Sequence, residues 1–166
     1  MYHSSESKGK GEIMFFYTFF IMLLLAACFC VWRISVADFR RRIIPDAYLF
    51  PLLLIGLIII HFFPWVCTTA ESVLGAITGY TLACIIGLIF EHYKKNAQYS
   101  PIGMGDIKLI SVGGLWLGTT GLAIALIFAC IFGTIWARQN KQKYIPFAPF
   151  FFAGGFLSFI TILFLL

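Results

Sequence analysis

Two aspartates are the residues of this sequence that most clearly offer chemistry. Asp38 opens the basic segment at residues 38–46, and Asp106 closes the segment Gly103-Met104-Gly105-Asp106. Each lies at the edge of a long apolar run, in a chain with only seven acidic residues. A carboxylate at or below a membrane surface is costly to keep charged, so it usually has a functional task. Two of them predict acid–base chemistry carried out by a pair.

The chemistry of such a pair follows from the repulsion between its charges. Two carboxylates held close together cannot both ionise easily, so they share one proton. The ionised member can then deprotonate a water molecule while the neutral member polarises a peptide carbonyl, as in aspartic proteases. Asp106 is predicted to lie at the start of a helix, whose dipole favours the charged form. We therefore expect Asp106 to be the base and Asp38 the acid.

Other kinds of catalytic centre have little support in the sequence. None of the three histidines lies in a His-Glu-x-x-His motif or in a recognisable arrangement with a serine or cysteine. No two of the five cysteines have the Cys-x-x-Cys spacing of a zinc site or redox centre. We expect no metal, no cofactor and no disulfide.

The composition predicts an integral membrane protein. Of 166 residues, 61% are hydrophobic and 11% are charged, whereas a soluble domain is roughly half apolar and about a quarter charged. The net charge of +5 comes from small basic clusters between apolar runs. Such clusters are typical of cytoplasmic loops beside anionic lipid, and they do not form the basic face that nucleic acid requires.

The apolar runs predict an all-α bundle of six transmembrane helices. Residues 1–12 are polar and predict a disordered tail, followed by a membrane domain over residues 13–166. Gly75 and Gly79, in the third span, have the small-xxx-small spacing that lets a neighbouring helix approach closely. The predicted spans are Ile13–Trp32, Ala47–Phe63, Ser72–Phe90, Asp106–Leu117, Leu122–Ala137 and Phe147–Leu166.

The distribution of lysine and arginine predicts the orientation of these spans. Basic residues cluster in residues 33–42, 94–108 and 138–143, while the loops at 61–71 and 118–121 have none. The positive-inside rule then places both termini on the extracytoplasmic side and both aspartates on the cytoplasmic side of a plasma membrane. Because the fourth span has only 12 residues, we expect residues 100–105 to dip inward, as the glycines there permit.

Three segments resemble those of the type IV prepilin peptidases, which are membrane aspartic proteases. The chain is similar to them in the Gly-x-Gly-Asp-x-Lys-Leu pattern at residues 103–109. It is similar also in the segment at 38–46, which ends in Ile-Pro-Asp, and in Pro-Phe-Ala-Pro-Phe at 146–150. In the last of these, Ala148 stands where the family has a glycine, a change that we expect to alter packing more than chemistry.

The resemblance implies a function and a catalytic pair. Asp38 and Asp106 would be the catalytic residues. The substrate would be a prepilin or prepilin-like protein, cut after the glycine that ends its short basic leader. Longer members have an additional domain with paired Cys-x-x-Cys motifs that is linked to N-methylation. This chain resembles the short, peptidase-only members, so we do not expect methyltransferase activity.

The remaining charged and small residues around the two aspartates have simpler roles. Asp46 is predicted to initiate a helix after Pro45. Lys108 is predicted to extend to the interface, where it can contact lipid or substrate. Gly103 and Gly105 are expected to determine backbone geometry. The three arginines of the basic segment are expected to set topology and to contact lipid or the substrate leader: Arg40, Arg41 and Arg42.

Two other functions remain open from the sequence alone. A small proton-coupled transporter could use the same carboxylates as a relay. The first three spans, however, show no similarity to the last three, and both aspartates lie towards one face. A non-catalytic pilus assembly subunit would hold pilins without cutting them, and the presence of both aspartates counts against it.

Overall fold

Helices make up nearly all of the chain that the structure describes. The computed structural model describes residues 3–63, 67–93, 103–141 and 145–165. Four of its helices are long and apolar enough to cross a membrane, while α2, with 17 residues, is a shorter apolar helix. The helices within these ranges are α1 His3–Arg41, α2 Asp46–Phe62, α3 Thr69–Tyr93, α4 Met104–Asn140 and α5 Phe147–Leu165.

The first helix is longer than the first predicted span. α1 has 39 residues and is therefore about 58 Å long. It begins at His3, so the backbone of residues 3–12 is helical where the sequence predicts a disordered tail. The division of the chain into a tail and a membrane domain stays a prediction.

A short connection joins α1 to α2 and holds the two helices side by side. Arg42 adopts the left-handed conformation, with φ of 56°, and its N–H donates to the carbonyl of Asp38 at 2.9 Å. Pro45 follows with an extended backbone and immediately precedes α2. Its fixed φ suits this position, so the predicted helix start at Pro45 and Asp46 is confirmed.

The helices predicted as the fourth and fifth spans are the two halves of α4, which are separated by a break. α4 covers 37 residues, but Gly118 within it has a φ of 68° and a ψ of −176°, a conformation that favours glycine. The sequence predicts a four-residue turn, at 118–121, between these two helices. The helical pattern instead continues on both sides of the single residue Gly118.

The chain folds back at Gly118. The carbonyl oxygen of Ile110 and a methyl group of Leu122 lie 3.0 and 2.9 Å from the position that a Cβ at Gly79 would occupy. In a straight helix these two residues would be about 18 Å apart along the axis. Both can reach Gly79 only if the two halves of α4, residues 104–117 and 119–140, lie side by side.

Small residues allow α3 and α4 to pack backbone against backbone. A Cβ at Gly75 would collide with the carbonyl oxygen of Gly114, and a Cβ at Gly114 would collide with that of Gly75. The predicted close approach at Gly75 and Gly79 is thereby confirmed, and the partner is α4. Gly113, next to Gly114, makes room in the same way for the ring of Phe151.

The buried core lies where α1, α2, α4 and α5 meet. Ile34, Leu109, Ala125 and Phe151 are among its most buried side chains. α1 packs on α2 and α5, whereas α4 packs on α2, α3 and α5. An apolar groove of about 550 Å³ remains between α1, α4 and α5, lined by residues such as Ala27, Leu109 and Phe151.

The packing of α3 on α4 predicts which glycines can accept a methyl group. We expect Gly75→Ala and Gly114→Ala each to lower the free energy of unfolding by about 1–3 kcal/mol, because backbone atoms cannot yield to the added carbon. Gly87, also in α3, has nothing within 4 Å of its Cβ position. Gly87→Ala should be neutral or slightly stabilising. Thermal unfolding in detergent measures all three, and equal melting temperatures would contradict this packing.

Candidate active site

Asp38 lies in the last turns of α1 and points into the bundle. Asp38 is only 5% exposed, and its Oδ2 accepts a hydrogen bond of 2.7 Å from the backbone N–H of Ala148. Ala148 lies in the first turn of α5 and is fully buried. A carboxylate of α1 thus caps the N-terminus of α5, where the helix dipole favours negative charge.

The prolines around Ala148 explain why this cap comes from another helix. The first four N–H groups of a helix have no partner within it. At the start of α5, Pro146 and Pro149 have no N–H at all, so only the N–H groups of Phe147 and Ala148 remain. Ala148 donates to Asp38, and the N–H of Phe147 also interacts with this carboxylate. Asp38 therefore accepts from both remaining donors.

Asp106 lies in the first turn of α4 and bonds to its own helix start. Its Oδ2 accepts from the N–H of Gly103 at 3.3 Å, and its own N–H donates to the carbonyl of Gly103 at 3.0 Å. The carboxylate is partly buried. This capping bond is longer than that of Asp38 and connects residues only three apart, so Asp106 is less firmly held.

The structure brings the two aspartates to the same end of the bundle. The negative charge of Asp38 acts on Asp106, although the two residues are 68 positions apart in the sequence. The C-terminal end of α1 contacts the start of α5 here, and the start of α4 packs on Ile44 in the connection that follows α1. The arrangement provides two neighbouring carboxylates, each with an oxygen bound to a backbone amide.

The two glycines of the Gly-x-Gly-Asp segment differ in their surroundings. A Cβ at Gly105 would lie 2.9 Å from the Cβ of Ile44 and 3.6 Å from its carbonyl oxygen. Gly105 therefore lets the connection between α1 and α2 lie directly on α4. A Cβ at Gly103 would meet only the Asp106 side chain, at 3.3 Å.

The basic residues after Asp38 remain on the surface. Arg40 and Arg41 lie in the last turn of α1, and both are exposed. Arg42 is also exposed, and its positive charge acts on Asp38. Arg42 therefore partly offsets the negative charge of the pair, while contacts of all three arginines with substrate or lipid stay a prediction.

Lys108 has a protein partner that the sequence did not predict. Its Nζ lies 2.7 Å from Oδ2 of Asp46, in the first turn of α2. The sequence predicts a separate role for each residue, Lys108 at the interface and Asp46 at a helix start. In the sequence, Lys108 and Asp46 each lie within or beside a segment that contains a candidate catalytic aspartate. That position alone does not indicate that the two side chains form an ion pair.

The described residues offer no metal site at this end, and the partly buried Cys67 is far from it. Cys67 lies at the opposite end, where its Sγ is 3.1 Å from the Cβ position of Gly118. Burial, and the nearby Glu71 charge, raise the pKa of the Cys67 thiol, which disfavours the reactive thiolate. Within residues 3–63, 67–93, 103–141 and 145–165, no three His, Cys, Asp or Glu side chains lie together as a metal site requires.

Comparison with known proteins agrees with the sequence motifs. The profile of the type IV leader peptidase family matches residues 19–138, a range that contains both aspartates. A prepilin leader peptidase/N-methyltransferase of Burkholderia pseudomallei is 32% identical over 136 residues, which are 77% of this chain and 42% of that protein. No solved structure matches the chain.

Two further relatives have the same printed name. The protein of Dichelobacter nodosus is 30% identical over 162 residues, which are 96% of this chain and 51% of the relative. That of Aeromonas salmonicida is 27% identical over 146 residues, which are 82% of this chain and 49% of the relative. The chain spans about half the length of these relatives.

The cap on α5 predicts that Asp38 stabilises the fold as well as forming part of the site. Asp38→Ala leaves two buried N–H groups without an acceptor, so we expect the free energy of unfolding to fall by about 1–3 kcal/mol. Asp38→Asn keeps a side-chain oxygen that can accept a hydrogen bond, so its free energy of unfolding should fall clearly less.

The control for this prediction is Asp106→Ala, whose bond to Gly103 is long and local. This variant should lower the free energy of unfolding by about 0.5–1.5 kcal/mol. Thermal unfolding in detergent measures the three variants. Melting temperatures for Asp38→Ala and Asp38→Asn that both equal the wild-type value would contradict a cap by Asp38.

Proposed function

Since the chain belongs to the type IV leader peptidase family, we propose that it is an aspartic endopeptidase of the membrane. It removes the short basic leader from type IV prepilin-like precursors at the cytoplasmic face. The observation that carries this proposal is the location of Asp38 and Asp106 at one end of the bundle, where the charge of Asp38 acts on Asp106. The proposal is limited to peptidase activity, because the match covers about half the length of the relatives named peptidase/N-methyltransferase.

The proposed reaction uses one carboxylate as base and the other as acid. The ionised aspartate takes a proton from water as the water attacks the carbonyl carbon of the scissile peptide. The neutral aspartate donates a hydrogen bond, and then its proton, to the carbonyl oxygen. When the tetrahedral intermediate collapses, the C–N bond breaks, the aspartate that took the water proton gives it to the leaving amine, and the other aspartate takes back a proton from the hydroxyl that becomes the carbonyl. No covalent bond to the protein forms at any stage.

The hydrogen bonds favour Asp38 as the base, which reverses the order expected from the sequence. Asp38 accepts a short bond of 2.7 Å from Ala148 at the start of α5. Short bonds from backbone N–H groups at a helix N-terminus stabilise a carboxylate in its charged form. Asp106 accepts only the 3.3 Å bond from Gly103. We therefore assign the shared proton to Asp106, which acts as the acid.

The proposed placement in the membrane has six crossings. The two halves of α4 lie side by side, which supports counting each half as one crossing. With α1, α2, α3 and α5, this arrangement puts both termini on the extracytoplasmic side. The basic clusters at residues 33–42, 94–108 and 138–143 then face the cytoplasm, together with the aspartates.

The apolar groove between α1, α4 and α5 supports a membrane-embedded substrate. A single-span precursor would place its hydrophobic helix against this face of the bundle. Its leader would then extend towards the end where α1 stops and α4 starts, which is where both aspartates lie. Ala27 and Leu109 line the groove on opposite sides.

Cleavage of a purified prepilin in detergent tests the proposal. Wild-type protein should make a single cut at the end of the leader. Asp38→Asn and Asp106→Asn should each reduce the rate by about a hundredfold or more, because each removes one partner of the proton transfer. Glu91→Gln is the matched control, since Glu91 is an exposed carboxylate near the end of α3, and it should cleave at the wild-type rate.

The outcomes separate the competing functions. Cleavage without an ion gradient excludes a transporter as the main function. Cleavage that survives in Asp38→Asn would contradict the assignment of Asp38 as base. Absence of cleavage by the wild-type protein on every prepilin tried would overturn the peptidase proposal.

A further inference from the structure

A salt bridge links the first turn of α2 to the second turn of α4, beside the aspartates. The Nζ of Lys108 and Oδ2 of Asp46 are 2.7 Å apart, and the two side chains are 48% and 66% exposed. Lys108 is only two residues from Asp106 along α4. Residues two apart on a helix do not face each other, so the Lys108 ammonium extends away from the Asp106 carboxylate and towards α2.

Two further contacts fix α2 against α4. Deeper in the bundle, the indole N–H of Trp116 donates to the carbonyl of Leu52 at 3.2 Å. At the end near the aspartates, Gly105 lies against Ile44, just before α2. Lys108 lies about 12 Å from Trp116 along α4. The salt bridge is thus the polar contact nearest the site among those that the structure gives between these two helices.

We infer that Asp46 and Lys108 are a positioning pair for the catalytic Asp106. This inference rests on the proposed function. The pair holds the start of α4 against the start of α2, and α2 is tied through the short connection at residues 42–45 to the end of α1 that carries Asp38. It therefore helps to set the separation of the two carboxylates without touching either of them.

Because the Asp46–Lys108 pair is exposed, the rate of cleavage should report its positioning role better than the stability of the protein does. An exposed salt bridge contributes little to folding, so its loss should leave the melting temperature nearly unchanged. Catalytic geometry is more sensitive, since a displacement of about 1 Å can reduce a rate by up to about a hundredfold. The pair should therefore affect the rate of cleavage more than the stability of the protein.

Kinetics of prepilin cleavage test the inference. Asp46→Asn and Lys108→Gln should each lower kcat about five- to tenfold with KM nearly unchanged. The double variant should be no slower than either single variant, because one interaction is lost in all three cases. The reversed pair, Asp46→Lys with Lys108→Asp, should recover most of the wild-type kcat.

The kinetic pattern distinguishes positioning from direct substrate binding. If Lys108 instead binds the substrate itself, Lys108→Gln will raise KM, Asp46→Asn will not, and the reversed pair will fail to recover activity. That pattern would overturn the inference. So would a reversed pair that remains as slow as the single variants.

A distance measurement tests the same inference without relying on activity. Spin labels on cysteines introduced at Phe39 and Met104, which are 58% and 74% exposed, report the separation of the ends of α1 and α4. The five native cysteines are first replaced by alanine. The distance distribution should broaden in Asp46→Asn and narrow again in the reversed pair.

The two measurements also separate this inference from the proposed function. An unchanged distribution in Asp46→Asn would overturn the positioning role even if the protein cleaves prepilin. A broadened one would support that role even if the peptidase proposal fails.

Discussion

The hydrogen bond from Ala148 to Asp38 is the contact on which the candidate site most depends. It is 2.7 Å long, buried, and joins residues 110 positions apart. Because Pro146 and Pro149 remove two of the four N–H groups at the start of α5, Asp38 accepts from the donors that remain. The bond fixes the end of α1 to the beginning of α5. Asp38 is thus both a candidate catalytic residue and one of the contacts that hold the helices of the site together.

The reversal of α4 brings the start of α5, and with it Ala148, to the end of the bundle where Asp106 lies. Gly118 lets the chain turn within one residue, and the two halves of α4 then pack along each other and along α3. Gly75 and Gly114 permit backbone contact there, so these halves lie closer to α3 than larger side chains would allow. As a result, the chain that leaves this end of the bundle at Asp106 returns to it at Ala148, where Asp38 caps α5.

The sequence predicted the elements and the pair of aspartates better than their contacts. Apolar runs give the helices, and local motifs point to Asp38 and Asp106. The sequence could not show that Ala148 donates to Asp38 or that Lys108 pairs with Asp46, because both contacts depend on how helices distant in sequence meet. It also predicted the two helical halves of α4 but gave the turn between them too many residues, since glycine and threonine at 118–121 indicate a turn but not its length.

The unequal anchoring of the two aspartates has a consequence for any movement of the site. Asp38 is buried and bonded across helices, so displacing it would break the cap of α5. Asp106 is bonded only to Gly103 within its own first turn, at 3.3 Å, and Gly103 itself is exposed. A change in the separation of the two carboxylates when substrate binds therefore costs least if the start of α4 moves. Asp38 then stays in place while Asp106 moves relative to it.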